Sequence, residues 1–330
     1  MGQPSRITSV LAAVALAGTG ALVTAPTATA TDAARCIGTS GDVTVTGGLV
    51  VPAGRTCVLD GTTVEGRVQV NSGATLVATD ATLESRVQVD DEAHFDATGT
   101  TVSGNLVSQG AHGIYLDEVQ VEGHFLGRGV EAESTFLYAV DSVIDGRIDA
   151  VAGEVYLEGT EVGQFVNTEG TNYTDLVDST VARELTVADS AHGSLVCGSQ
   201  VDGNATYIGN NGVQVGVGRT LAQCGEGNEF GADLTIDANA GNIDVTDNQI
   251  GGDLTGVDNT RWPTGSGNSV DGDRAEQFWY LRASPPRAFP EAEVRDEDEV
   301  RTPATIAAER EQRVEDAVEL AEELGSADIG

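Results

Sequence analysis

The chain has 330 residues, with 52 Asp plus Glu against 17 basic residues and a formal charge of −35. That imbalance argues against nucleic acid as a partner, because phosphate contacts need a basic surface, and equally against an anionic membrane surface. Every basic residue is Arg, and 42 glycines beside one Met point to a β-rich chain of many tight turns rather than a helical enzyme.

Residues 1–30 read as an export signal. Arg6 supplies a sparse positive start, Leu11 to Leu16 and Ala21 to Val23 an apolar stretch, and Ala28-Thr29-Ala30 a small-x-small cleavage site. Gly18 and Gly20 interrupt the apolar stretch, and no later segment is long and apolar enough to span a bilayer. The expected mature protein starts near Ala30 and is soluble and secreted, either extracellular or cell-wall associated, with no membrane span.

Residues 31–57 form the expected N-terminal cap and first coil, and 58–277 carry a repeat. Thr63-Val64-Glu65-Gly66-Arg67-Val68-Gln69-Val70 is followed by Thr82-Leu83-Glu84-Ser85-Arg86-Val87-Gln88-Val89 and then by Thr101-Val102-Ser103-Gly104-Asn105-Leu106-Val107. The first apolar position recurs at Val45, Val64, Leu83, Val102, Val121, Ile144, Val162, Val181, Val201, Phe230, Ile250 and Val270. Most intervals are 18 to 20 residues; those before Ile144 and Phe230 swell to 23 and 29. Four residues further along, every unit is apolar until Arg274, and glycine commonly lies between.

Residues i, i+2 and i+4 of a strand share a face, so each unit offers an apolar face that only a stacked neighbour can bury. Nineteen residues are too few for a strand, a helix and two turns. They suit three short strands. The predicted fold is all-β, a single-stranded parallel β-helix of about twelve coils, right-handed by the general rule for parallel crossovers.

Arg274 should end the stack. The cluster Phe278-Trp279-Tyr280-Leu281 then reads as a plug over the last coil, with Phe278, Trp279 and Tyr280 as the sharper alternative of a partner-binding platform. Residues 278–301 make this aromatic cap and an acidic linker. An amphipathic helix is predicted over 302–325, with Thr302 and Pro303 at its start and Gly325 past its end. Its narrow stripe is Ala307, Val314, Ala317, Val318, Ala321 and Leu324, interrupted by Arg310; whether it docks, pairs with a copy or stays loose is left open.

Four cysteines in an exported chain imply disulfides. Cys36 and Cys57 are 21 apart and Cys197 and Cys224 are 27 apart, each about one coil, which predicts the pairs Cys36–Cys57 and Cys197–Cys224.

The repeated Val-x-Gly-x-(Val/Leu) units, and the closing Gly267-Asn268-Ser269-Val270-Asp271-Gly272-Asp273, resemble exported bacterial β-helix repeat proteins, most of which have no assigned function. The coil length is also similar to that of bactofilins, and that resemblance implies end-to-end assembly. The export signal, the disulfides and the extended C-terminus depart from the bactofilin pattern.

No catalytic constellation is legible. His94, His112, His124 and His192 occupy different parts of the repeat, and neither a nucleophile elbow nor a phosphate-cradling loop occurs. Most coils are short, so flat faces without a cleft are expected; the two inserts lie near Glu131 to Ser134 and Gly209 to Gly227. One outward row runs from Arg67 and Arg86 to Asp233, Asp253 and Asp273. Stacked carboxylates about 5 Å apart repel one another, so these three are a candidate Ca2+ site. The opposite charges at the two ends of this row also invite antiparallel self-association. The resulting expectation is an exported structural or surface-interaction protein, with no catalysis and no cofactor apart from that Ca2+. It would present a rigid acidic face to itself or to a cell-surface polymer. The alternative is a carbohydrate-active β-helix enzyme of lyase or hydrolase type.

Overall fold

Each unit folds as one coil of three short strands. In the coil from Thr63, a two-residue strand Thr63–Val64 turns through Glu65-Gly66-Arg67 into Val68–Val70, and a second turn leads to the longer strand Thr75–Thr79. The computed structural model describes residues 33–129, 135–281 and 303–329. The predicted export signal, the insert at 131–134 and most of the linker lie outside the described residues.

Stacking these coils generates three sheets of twelve, eleven and twelve strands among the described residues, every neighbouring pair parallel. The protein is therefore a parallel β-solenoid of about twelve coils. We call the sheet containing Val68–Val70 sheet one, that containing Thr75–Thr79 sheet two, and that containing Thr63–Val64 sheet three. Register is kept from coil to coil: Val64 pairs with Leu83, Leu83 with Val102 and Val102 with Val121. Inward residues thus pile into columns, and Val64, Leu83, Val102, Val68, Val87 and Leu106 are fully buried in one continuous core.

Local chemistry explains the turns. A Cβ on Gly66 would sit 2.5 Å from the carbonyl carbon of Gly47 in the coil beneath, so this turn runs too close for most side chains. The turn leaving sheet two needs a left-handed residue: Gly61, Asp80, Gly99, Glu118, Asp141 and Gly159 all have φ between 46° and 68°. Asp tolerates that region better than branched residues do. Part of the chain's acidity is therefore turn chemistry.

Two inward columns are polar. Side chains of Ser179, Ser199, Asn228, Asn248 and Asn268 each accept the backbone N–H at the same position of the preceding coil, from Thr160 N through Asn248 N, at 2.9–3.1 Å. Asn210, Asn239 and Asn259 repeat the arrangement one turn away, and Gln277 ends it by accepting from Asn259 N at 2.8 Å. These ladders satisfy turn amides that the strands leave orphaned.

Both ends are closed by the chain itself. At the far end the backbone of Arg274 still bridges to Leu254, then a short 3-10 turn Glu276–Phe278 drops the fully buried Phe278 onto the last coil. At the near end the C-terminal helix α1, Pro303–Leu324, lies against Gly38–Ser40, Thr56–Asp60 and Thr75–Thr79 of sheet two. Beyond it, Thr39 donates to Gly325 O at 3.0 Å and accepts from Ala327 N at 2.7 Å, extending sheet two by one parallel bridge to Ser326. The helix docks, by a stripe offset from the predicted one. Ile306, Ala317 and Ala321 are buried and Arg310 and Arg313 half-buried between them, while Ala307 and Leu324 face solvent.

Both predicted disulfides form, Cys36–Cys57 with Cα atoms 5.5 Å apart and Cys197–Cys224 at 5.7 Å.

Candidate functional site

The outer face of sheet two carries a row of side chains stacked in register: Val58, Val77, Asp96, Tyr115, Tyr138, Tyr156, Asp175, Leu195, Gln214 and Asp244. A row pointing outward would ordinarily be wet, yet most of it is buried because the chain folds back over it at two places.

The first cover is α1. Asp96, only 2 % exposed, receives Arg310 Nε at 3.2 Å and Arg313 Nε at 3.3 Å, while Arg310 reaches Asp117 at 3.1 Å and Thr98 at 2.8 Å. The Arg310 guanidinium also lies 3.8 Å from the centre of the Tyr115 ring, and Ile306 packs among Tyr115, Phe136, Tyr138, Tyr156 and Tyr173. A planar cation suits this place because it pairs with carboxylates in plane and stacks on an aromatic face.

The second cover is the insert of the long repeat interval. Its loop is tied to the strand Ser194–Cys197 by Cys197–Cys224 and held by Gln214, whose Oε1 accepts from Leu221 N at 2.6 Å and whose Nε2 donates to Ala222 O at 2.9 Å. Between this loop, the strand Ile243–Thr246 and the segment 261–266 opens a cleft of about 800 Å³. The expectation of cleft-free faces is corrected here: lengthening one coil by about ten residues lifts a wall that a nineteen-residue unit cannot build.

Asp244 lies on the cleft floor, 6 % exposed. Thr246 donates to its Oδ1 at 2.7 Å and Thr220 to its Oδ2 at 3.3 Å. Burial pushes its carboxyl above the usual carboxylate range, and the two hydroxyl donors oppose that shift. Among the described residues it is the sole carboxylate lining the cleft, which Arg219, Arg261 and Trp262 also line. Arg261 donates to Asn242 Oδ1 at 2.9 Å. Trp262 is 60 % exposed and packs against Tyr280 at 5.5 Å between ring centres.

The predicted site residues fall in several places. Phe278 belongs to the core, which removes it from any solvent-facing platform. Trp279 is 59 % exposed and Tyr280 is tied by its hydroxyl to Pro263 O, so the accessible aromatic surface is Trp279 with Trp262. Trp262 went unread because it stands alone in the sequence, away from the aromatic cluster. Asp233, Asp253 and Asp273 do stack, but Asp233 Oδ1 accepts from Asp253 N at 2.8 Å and Asp253 Oδ1 from Asp273 N at 2.7 Å. The Asp233 and Asp253 carboxylates fold back over Gly252 and Gly272 of the next turn, and among the described residues no group of three or more His, Cys, Asp or Glu is placed to hold a metal ion. His94 and His112 sit on adjacent coils with rings 4.7 Å apart, closer than their repeat positions suggested.

Compared with protein-family models, with curated proteins and with solved structures, the chain matches none of them.

Proposed function

We propose that the protein is an exported structural or surface-interaction protein, a rigid acidic rod that engages a cell-surface polymer through the cleft beside Asp244. The observation that carries this reading is the cleft's chemistry. It offers an exposed ring, two guanidiniums and one carboxylate that is nearly buried and already occupied by two hydroxyl donors. Glycoside hydrolysis needs a second carboxylate about 5 to 9 Å from the first, and among the described residues no other carboxylate lines this cleft. Convergent polar groups in a concave site without a reacting pair favour binding over turnover.

The alternative, a carbohydrate-active enzyme, draws its support from Asp244, since a carboxyl raised by burial on the floor of a cleft is the kind of group that moves protons. Incubating the chain from residue 31 with isolated cell-envelope polymers, then measuring both co-sedimentation and released reducing or unsaturated ends, separates the two. Retention without product is expected. Product formation abolished by Asp244→Asn would replace binding with catalysis.

A further inference from the structure

We propose that the cleft formed by Val217–Cys224, Ile243–Thr246 and residues 261–266 is a binding site for a carboxylate-bearing saccharide, a uronate residue within a polymer chain. This rests on the polymer-binding reading above and names its ligand class.

The argument begins with where the arginines are. The chain has 17 basic residues against 52 acidic ones, and two of the 17, Arg219 and Arg261, line this cleft. Its sole carboxylate among the described residues, Asp244, is 6 % exposed and has both oxygens engaged. On a molecule of charge −35, the cleft therefore presents a local excess of positive charge to a ligand. Arg219 makes no ion pair or hydrogen bond among the described residues, and Arg261 holds only the neutral Asn242. Guanidiniums left without acidic partners in so acidic a chain are available to a carboxylate, whose two oxygens match the planar fork.

The second observation is the platform. Trp262 is 60 % exposed, braced by Tyr280, and placed beside Arg261 by sequence adjacency. A large apolar face held rigid in the open serves a flat, weakly polar ring such as a pyranose. Asn242 and Gln223 also line the cleft and supply amide groups of the kind that hydroxyls pair with. The cleft is partly open to solvent, which suits one unit of a longer chain.

A nucleobase would also stack on Trp262. The long-range field disfavours it: nucleic acid brings one phosphate per nucleotide along its whole length toward a strongly negative rod. A uronate polymer is repelled too, but its carboxylates can be spaced by neutral sugars, and screening confines repulsion to about 10 Å at 0.1 M salt.

Affinity electrophoresis of the chain from residue 31 tests the assignment, with hyaluronan (whose uronates alternate with neutral sugars), dextran or single-stranded DNA in the gel and cell-envelope co-sedimentation run alongside. The expected result is retardation by hyaluronan alone. Arg261→Gln and Arg219→Gln should each weaken it about tenfold, the value of one charge-assisted contact, and Trp262→Ala at least as much. These side chains are exposed, and an unchanged melting temperature verifies that the variants fold. Equal retardation by dextran, insensitive to the arginine variants, overturns the carboxylate while leaving polymer binding standing. Retardation by DNA overturns the saccharide. Envelope binding that survives all three substitutions overturns the cleft, and absence of binding to every polymer and to the envelope overturns both this proposal and the reading beneath it.

Discussion

Tyr207 occupies an inward column of sheet one, between Val187 and Ile236, fully buried and with no hydrogen-bond partner for its hydroxyl among the described residues. Burial pushes its ionisation well above the ordinary tyrosine value. An orphaned hydroxyl loses its hydration without compensation, so Tyr207→Phe, which keeps the ring, should raise stability by about 1 kcal/mol in a denaturant titration. Asp244 gives a pH-dependent counterpart. Its folded-state pKa lies above the unfolded one, so the folded protein takes up the proton first as pH falls. The stability conferred by that protonation is present below the ordinary aspartate range and lost as pH rises through the raised value. Relative to Asp244→Asn, the wild type should therefore gain stability on acidification through this window, and parallel melting curves of the two proteins across pH would contradict it. At this scale the sequence was partly opaque. Asn228, Asn239 and Asn248 look like turn residues in a linear reading, and only the stacked geometry shows that each is buried and accepts the amide of the coil before it.

The helix α1 illustrates how a pattern can be read correctly in extent and only partly in face. Its bounds, Pro303–Leu324, agree closely with the expected 302–325, because proline at the first turn and Gly325 after the last are strong punctuation. Of the expected stripe, Ala317 and Ala321 lie on the docked face and Ala307 and Leu324 do not, since Arg310 reads as a break when arginine is scored only as a surface residue. In the structure Ile306, Arg310, Arg313, Ala317 and Ala321 share the docked face, and the arginines bury their stems while their heads meet Asp96 and Asp117. Arg310→Ala leaves the nearly buried Asp96 with Arg313 alone and strips the cation from the Tyr115 ring. A loss of about 2 kcal/mol is expected, below the full cost of an unpaired buried charge because one partner remains. Hydrogen exchange should accelerate across 303–324 in this variant and remain unchanged in Glu309→Ala, an exposed neighbour.

The solenoid as a whole was legible because a stacked repeat writes its three-dimensional columns directly into the spacing of Val64, Leu83, Val102 and their successors. The long interval before Phe230 marked the insert, although not that its loop would wall a cleft, since that depends on the side chain of Gln214, on the strand just before the loop, catching the backbone of Leu221 and Ala222. Nothing local signals that the residues after α1 return to Thr39. That pairing covers an edge that an open parallel sheet would otherwise offer to another chain. Shortening the protein to end at Arg301 should expose the edge, and light scattering is expected to show concentration-dependent self-association absent from the full chain. The same contact bears on how the molecule comes apart. Arrays of identical modules usually fray from their termini one module at a time. Here the outermost module is clasped by a segment that belongs to the opposite terminus, so peeling cannot begin there until the clasp opens. The intact molecule should therefore melt in a single sharp step, and the shortened one over a broader range that starts at lower temperature.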